Sequence, residues 1–275
     1  MLYDAHNHLH FAEFAPYLEA VLPELTAINL GGIVANGTHP DDDWDDVAAL
    51  AQRFDWVRPS YGIHPWDCGI RPSDWQAKFT ARLESDPRAA VGEIGIDQAM
   101  LDREPSPGQA RRAPMDEQCA VFQWQFNWAA AHDRPASIHC VRAVGTLLDV
   151  LKQSARPARG FLLHAYSGSA EMVPEFVELG AYFSFNTSFL DPRRKRQHAA
   201  FRAIPADRLL VETDAPATPP PASAGPYLLD PPPPPTWSNH PANLRLAYDY
   251  LAELRQIPVA ELEDTVATNF TRLFG

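Results

Sequence analysis

The 275-residue sequence has few cysteines, no excess of positive charge and no long hydrophobic run. Its three cysteines, Cys68, Cys119 and Cys140, are odd in number and widely spaced, which excludes a disulfide framework and a Cys-x-x-Cys zinc site. Apolar stretches no longer than a β-strand exclude a membrane span. The first eight residues (MLYDAHNH) lack the basic and apolar regions of a signal peptide, so we expect a cytoplasmic protein.

The charge balance is acidic. The chain has 23 basic and 35 acidic residues, a net charge of −12. Such a chain gains little by displacing counterions along a DNA duplex, which argues against a repressor or a nucleic-acid coat protein. With 45% hydrophobic and 21% charged residues, the composition is that of a folded protein and not of a disordered one.

Short apolar segments alternate with amphipathic segments along the whole chain. This alternation predicts a parallel sheet buried on both faces. Eight such units predict a single α/β domain over residues 1–275, a (β/α)8 TIM barrel with an extra C-terminal helix. An open, doubly wound sheet is the alternative. The predicted strands are 3–6, 31–38, 57–63, 89–96, 136–139, 160–164, 181–185 and 209–214. The predicted helices are 16–27, 42–54, 75–85, 115–132, 145–153, 170–179, 193–202, 241–254 and 259–273.

Two segments interrupt the alternation, 102–114 after the fourth strand and 215–235 after the eighth. Within the second, ten of the twenty residues 216–235 are proline. Proline runs are stiff and form few hydrogen bonds, which predicts a rigid loop. Because both segments follow strands, we expect them at the barrel face where ligands bind.

Histidines and carboxylates cluster where the predicted strands end. In a barrel, the carboxyl ends of all strands meet at one mouth, so these side chains should converge there. Packing alone does not explain so many imidazoles and carboxylates in one place, because burying them is costly unless something pairs with them. A divalent metal supplies that pairing. The residues in question are Asp4, His6, His8, His64, Glu93, His139, His164 and Asp214.

The composition of this set favours two metal ions. His6 and His8 are two positions apart, so on a strand both point to the same side and can bind one ion. Six ligands exceed one tetrahedral site and suit two ions about 3.5–4 Å apart. Glu93 is the natural bridge, and Asp214 can bind one ion and accept a proton from water. Imidazole ligands favour transition metals over an all-oxygen magnesium site, and the reaction class is metal-assisted hydrolysis.

Seven motifs along the chain resemble those of the TatD family of metal-dependent deoxyribonucleases, in the metallo-dependent hydrolase superfamily. The motifs occur in the family's order, from the first strand to the last helix. They are DAHNH (4–8), GIHPW (62–66), VGEIGID (91–97), SIHC (137–140), LLHAYSGS (162–169), VETDAP (211–216) and NFTRLFG (269–275).

The resemblance implies a TIM barrel with two divalent ions, whose candidates are Zn, Mn, Mg, Ni and Fe. One ion would be held by His6, His8, Glu93 and Asp214, and the other by Glu93, His139 and His164. His64 would lie near a substrate phosphate, and Asp4 would orient a histidine ligand. Glu93 and Asp214 are the catalytic residues in this interpretation.

The expected activity is exonuclease-like hydrolysis of phosphodiesters, with DNA ends or short oligonucleotides as substrate. Two divalent cations outweigh the charges of Glu93 and Asp214, so the mouth can attract phosphate although the whole chain is acidic. The sequence departs from the family around residues 98–100, 140–142 and 239–241. A hydrolase of a small phosphoester, ester or amide is therefore one alternative, and a non-enzymatic metal-binding scaffold is another.

The basic run at 193–196 is best interpreted as a solvated helix face. The alternative interpretation is that the run, together with Arg103, Arg111 and Arg112, forms a rim that steers phosphate towards the site. No membrane partner is expected, and the oligomeric state is open.

Overall fold

The chain folds around eight parallel strands in the order β1 to β8. The computed structural model describes residues 1–101, 111–234 and 238–275. The strands are β1 Leu2–Asn7, β2 Leu30–Asn36, β3 Val57–Tyr61, β4 Ala90–Asp97, β5 Ala136–Val141, β6 Phe161–Leu163, β7 Ala181–Asn186 and β8 Leu209–Glu212. The helices are α1 Leu18–Ala27, α2 Trp44–Arg53, α3 Trp75–Ser85, α4 Met115–Ala131, α5 Val144–Gln153, α6 Val173–Glu178, α7 Lys195–Ala203, α8 Leu244–Arg255 and α9 Val259–Phe274.

This architecture confirms the predicted (β/α)8 barrel and its extra C-terminal helix. Each strand pairs in parallel with the next one along the chain. Strand β7 is buried along its whole length, as expected for a sheet that is covered by helices on one side and fills the barrel on the other. The description of residues 1–275 as one domain stays a prediction.

The barrel is nearly closed between its first and last strands. The amide of His8 donates to the carbonyl of Ala215 over 2.7 Å, and the amide of Asp214 donates to the carbonyl of His6 over 2.9 Å. The buried carboxylate of Asp4 accepts from the Thr213 amide at 3.0 Å and from the Thr213 hydroxyl at 2.5 Å. Strands β1 and β8 are therefore joined next to the residues that the sequence assigns to the mouth.

The two C-terminal helices hold the same two strands from outside. In α8, the Tyr248 hydroxyl accepts from the Tyr3 amide and donates to the Tyr3 carbonyl, both at 3.0 Å. In α9, the Asn269 amide group donates to the carbonyls of Ala206 and Leu209 at 2.8 and 2.9 Å. The apolar face of α9 that includes Leu262 is buried as well, and full burial of such a side chain contributes about 1.5–3 kcal/mol.

Some element boundaries differ from the predicted ones. Strands β3, β6 and β8 end two, one and two residues earlier, so His64, His164 and Asp214 lie in the loops that leave the barrel. Residues 15–17 and 170–172 form 3-10 turns before α1 and α6, where prolines occupy the first helical positions. Helix α7 begins only at Lys195, after Pro192.

The two interrupting segments are described in part. Most of 102–114, including Arg103, lies outside the described residues, as do residues 235–237. Within 216–235, Ala217 lines the mouth of the barrel, which confirms the predicted location for the start of this segment. No helix within the described ranges is long and apolar enough to span a membrane, and the cytoplasmic location stays a prediction.

Gly95 on β4 permits the close approach of β5. Its φ is +148°, and a Cβ built there would lie 2.0 Å from the carbonyl oxygen of His139. We expect Gly95→Ala to lower the free energy of unfolding by about 1–3 kcal/mol or more, the usual cost of overpacking, because the two strands must move apart. Gly145→Ala is the matched control, since nothing lies within 4 Å of its added Cβ. Denaturant unfolding of both variants tests this, and equal stabilities would contradict it.

Candidate metal centre

Six buried or half-buried side chains predicted from the sequence converge at the carboxyl ends of the strands. They come from five places on the barrel, which explains why they are far apart in the chain and close in space. These side chains are His6 in β1 and His8 directly after it, Glu93 from β4, His139 from β5, His164 after β6 and Asp214 after β8.

The carboxylate of Glu93 lies at the centre, with its two oxygens facing different histidines. Oε2 is 3.3 Å from Nε2 of His6 and 3.3 Å from Nε2 of His8. Oε1 is 2.8 Å from Nδ1 of His139 and 2.9 Å from Nε2 of His164. One buried carboxylate therefore joins two pairs of imidazoles.

Asp214 completes the first of these groups. Its Oδ1 is 3.4 Å from Nε2 of His8 and 3.8 Å from Nε2 of His6, which are themselves 3.2 Å apart. Around a tetrahedral zinc ion with bonds of about 2.0–2.1 Å, neighbouring donor atoms are about 3.3 Å apart. The spacing of this group thus matches the spacing of ligands around one ion.

The residues present fit a metal centre. Three sets of these side chains bring donor atoms close enough together to hold an ion: His6 with His8 and Glu93, His6 with His164 and Asp214, and His64 with Glu93 and His139. Nitrogen and oxygen donors of this mixture suit transition metals.

Each of the four histidines is held from behind through its other ring nitrogen. Nδ1 of His8 is 2.7 Å from the carbonyl oxygen of Asn36, and Nδ1 of His6 is 2.8 Å from the Ser137 hydroxyl. Since a carbonyl can only accept, Nδ1 of His8 carries a proton, and in the neutral ring the lone pair is on Nε2, which faces Glu93.

Carboxylates hold the other two rings. Nε2 of His139 is 3.3 Å from Oδ2 of Asp97, and Nδ1 of His164 is 3.3 Å from Oε1 of Glu212. Sequence reasoning missed both acids. The signal was present for Asp97, which lies four positions after Glu93 on β4 and therefore shares its face. Glu212 lies two positions before Asp214, and this spacing is a comparable signal.

Asp4 contacts the main chain of one candidate ligand. Among the described residues, its carboxylate accepts from the amides of His6 and Thr213 and from the Asn7 side chain, and its role in orienting a histidine ligand stays a prediction. Burial raises the pKa of Asp4 to about 7, although these hydrogen bonds oppose the shift. Asp4 therefore positions the backbone of β1 against β8.

The carboxylates at the centre are ionised, and the site attracts positive charge. Burial alone would raise the pKa of Glu93, but its electrostatic interactions with the surrounding histidines, among them His164, hold it well below its usual value. Burial opposes protonation of His8 too, yet its contacts with Asp214 and Glu93 raise its pKa to about 10.

His64 is oriented differently from the other histidines. Its Nδ1 accepts a hydrogen bond from the Trp66 amide at 3.1 Å, so the neutral ring carries its proton on Nε2. Nε2 lies 3.4 Å from Oε1 of Glu93. Burial lowers the pKa of His64 to about 4, which keeps the ring neutral. A protonated Nε2 cannot bind a metal, whereas it can donate a hydrogen bond.

The mouth above these residues is a cavity of about 330 Å³ with aromatic walls. Phe11 and Trp66 both line it. The Trp66 side chain is 49% exposed, and its Nε1 donates to Oδ2 of Asp97 over 2.7 Å. Its indole is thereby fixed at the rim.

Of the basic residues considered for a phosphate-steering rim, Arg103 lies outside the described residues, and the described ones do not line this cavity. Arg193 pairs with Asp191 and is 88% exposed. Arg111 pairs with Glu117, and Arg112 donates to the carbonyl of Met100. Among the described residues, the run at 193–196 is therefore consistent with a solvated helix face.

A barrel with this histidine and carboxylate cluster at its mouth defines a metal-dependent hydrolase. The sequence profile of the family described as "TatD related DNase" matches residues 3–275, and the chain belongs to this family.

Relatives of the chain span nearly its whole length. It is 26% identical over 275 residues to the uncharacterized metal-dependent hydrolase YabD of Bacillus subtilis, covering 100% of this chain and 99% of that one. It is 28% identical over 281 residues to the 3'-5' ssDNA/RNA exonuclease TatD of Citrobacter koseri, again covering 100% and 99%. The crystal structure of YjjV, a TatD homologue from Escherichia coli, superposes with a TM-score of 0.82 at 27% identity, covering 99% of this chain and 97% of that one.

The contact between Glu212 and His164 makes a prediction for metal binding. We expect Glu212→Gln to weaken the affinity for divalent metal by about 10–100-fold, because the ring of His164 loses its charged partner. Competition with a chromophoric chelator measures this affinity. Glu175→Gln removes an exposed carboxylate that pairs with Lys152 and should leave it unchanged. Equal affinities of the two variants would mean that Glu212 does not support the centre.

Proposed function

We propose that this protein is a two-metal phosphodiesterase that removes nucleotides from the ends of single-stranded DNA or short oligonucleotides. The observation that carries the proposal is the carboxylate of Glu93, whose two oxygens each face a separate pair of imidazoles. The printed name of the Citrobacter relative, a 3'-5' ssDNA/RNA exonuclease, supports a nucleic-acid substrate.

In this proposal, the cluster would hold two divalent cations, with Glu93 as a ligand of both. When bound, the cations would supply an activated water and stabilise the charge on the phosphoryl oxygens. The first would be held by His6, His8, Glu93 and Asp214, and the second by Glu93, His139 and His164. Zn, Mn, Ni and Fe suit these nitrogen ligands better than Mg does.

Asp214 is the general base of the proposed reaction. Burial alone would raise its pKa, but the hydrogen bond with His8 and the charges of His164 and His6 lower it, so the carboxylate is ionised. Its Oδ2 accepts from the Thr218 hydroxyl at 3.2 Å, which fixes the rotation of the carboxylate. An ionised, oriented carboxylate at the mouth can take the proton of the attacking water.

His64 contributes a neutral donor. The amide of Trp66 fixes the tautomer with a proton on Nε2, and that nitrogen lies in the wall of the mouth. In the proposal, Nε2 donates to a non-bridging oxygen of the substrate phosphate. This is the substrate-binding role that the sequence predicts for His64.

A hydrolase of small phosphoesters, esters or amides is the second candidate. The mouth has a volume of about 330 Å³ and apolar walls that include Phe11, Trp66 and Ala217, which fits a small molecule as well as a terminal nucleotide. The same metal cluster would serve either substrate.

Substrate assays separate these candidates. After chelation and add-back of single metals, we expect the protein to degrade a 3'-tailed oligonucleotide faster than it hydrolyses a panel of small phosphoesters, esters and amides. Glu93→Ala should lower the bound metal per chain and abolish turnover, because both ions lose their shared ligand. Mass spectrometry of the products and elemental analysis are the measurements.

Turnover of a small ester with no release of nucleotides would contradict the proposed nuclease activity and support the second candidate, a hydrolase of small molecules. Hydrolysis of nothing in the panel by metal-loaded protein would favour the non-enzymatic scaffold. Unchanged activity of Glu93→Ala would exclude the bridging role.

Asp214→Asn tests the general base. The backbone of Asp214 has a φ of +59°, a conformation that asparagine tolerates, so the variant keeps the loop. We expect kcat to fall by about 10²–10⁴-fold, the usual contribution of a general base, with KM changed only a few-fold. Steady-state kinetics on the oligonucleotide measure both constants. A rise in KM at constant kcat would assign Asp214 to substrate binding instead.

A further inference from the structure

A second cavity, of about 410 Å³, lies at the end of the barrel opposite the metal centre. Its lining includes Ala89, Pro135 and Arg159, which come just before β4, β5 and β6, and Arg58, the second residue of β3. These are the amino ends of the strands, whereas the histidines and carboxylates described above are at the carboxyl ends. The two cavities are therefore separate.

Four arginines line this second cavity in a chain whose net charge is −12: Arg58, Arg88, Arg134 and Arg159. Two of them have acidic partners. Nε of Arg88 is 3.5 Å from Oδ1 of Asp86, and Nε of Arg159 is 3.7 Å from Oδ2 of Asp133. Arg159 also donates to the Gly275 oxygen over 3.0 Å.

The other two arginines have no such partner. Arg134 donates to the main-chain carbonyls of Leu83, Asp86 and Ala89 at 3.2, 3.2 and 2.9 Å, and a carbonyl does not neutralise a guanidinium charge. Arg58 is half-buried, and its side chain makes no hydrogen bond or ion pair within the described part of the chain. Because a guanidinium stays protonated even when partly buried, the cavity keeps about two uncompensated positive charges.

Phe274, Pro87 and Pro135 form an apolar part of the remaining wall, next to Asp133 and His132. Small-molecule sites have volumes of about 300–1,000 Å³, so this cavity is large enough for more than a lone inorganic anion. Guanidinium groups bind phosphate through paired hydrogen bonds, and apolar walls accommodate a sugar or a base.

We propose that this amino-terminal cavity binds a small phosphomonoester of nucleotide size, with its phosphate on Arg58 and Arg134 and its body against Phe274. The site is independent of the metal centre and of the proposed nuclease activity. Arg134 also ties the end of α3 to the start of β4 through its carbonyl contacts, so Arg58 is the better residue to change.

Calorimetric titration of the metal-loaded protein with AMP, inorganic phosphate and adenosine, at constant ionic strength, tests the site. In wild type we expect AMP to bind more tightly than phosphate or adenosine, because only AMP uses both walls. Arg58→Gln should weaken this binding at least tenfold. Arg202→Gln, which removes the same charge from the exposed surface of α7, should leave it within twofold.

If Arg58→Gln proves unstable, AMP binding to Arg88→Gln is a second test, since Arg88 is exposed at the edge of the cavity. We expect a smaller loss of AMP affinity, with the activity at the metal centre unchanged. AMP binding equal to wild type in both variants would overturn the proposal. Equal affinities for AMP and inorganic phosphate would overturn the proposal that the ligand has the size of a nucleotide.

Discussion

The whole site depends on one buried carboxylate, that of Glu93, which is shared by two pairs of histidines. Glu93 is 3% exposed, so bulk solvent does little to stabilise its charge, yet its two oxygens face the imidazoles of His6, His8, His139 and His164. Without a compensating cation, burying one such charge would cost several kcal/mol. The arrangement is favourable only because positive charge, from protons or from metal ions, is held on both sides of it.

The second constraint is the orientation of the rings. A histidine binds metal through a lone pair, and the hydrogen bond at its other nitrogen decides which nitrogen has one. The Asn36 carbonyl, Asp97 and Glu212 make that choice for His8, His139 and His164. The Trp66 amide instead donates to Nδ1 of His64, so the proton is on Nε2 and a hydrogen-bond donor faces the mouth. The five histidines at the mouth thus divide into four candidate metal ligands and one hydrogen-bond donor, His64.

The two ends of the barrel have different charge. At the carboxyl ends, carboxylates gather and attract cations; at the amino ends of β3 to β6, arginines gather around a cavity with few acids. Parallel strands make this separation possible, because all eight carboxyl ends point the same way and all eight amino ends point the other. An acidic chain can therefore present a cation site at one end and an anion-attracting cavity at the other.

The sequence by itself determined the order of strands and helices and the positions of the clustered residues. Alternation of short apolar segments with amphipathic ones reports local burial, and a parallel barrel follows from it. His6, His8, Glu93, His139, His164 and Asp214 could be found because each lies in or just after a predicted strand. Only the tertiary structure decided which main-chain groups Asp4 contacts, which nitrogen of each ring faces inward, and which rings Asp97 and Glu212 contact. It also brought Arg58, Arg88, Arg134 and Arg159 together. These features depend on rotations and contacts between residues distant in the chain. The spacing of Asp97 from Glu93 places both on one face of β4 but does not show which ring Asp97 contacts.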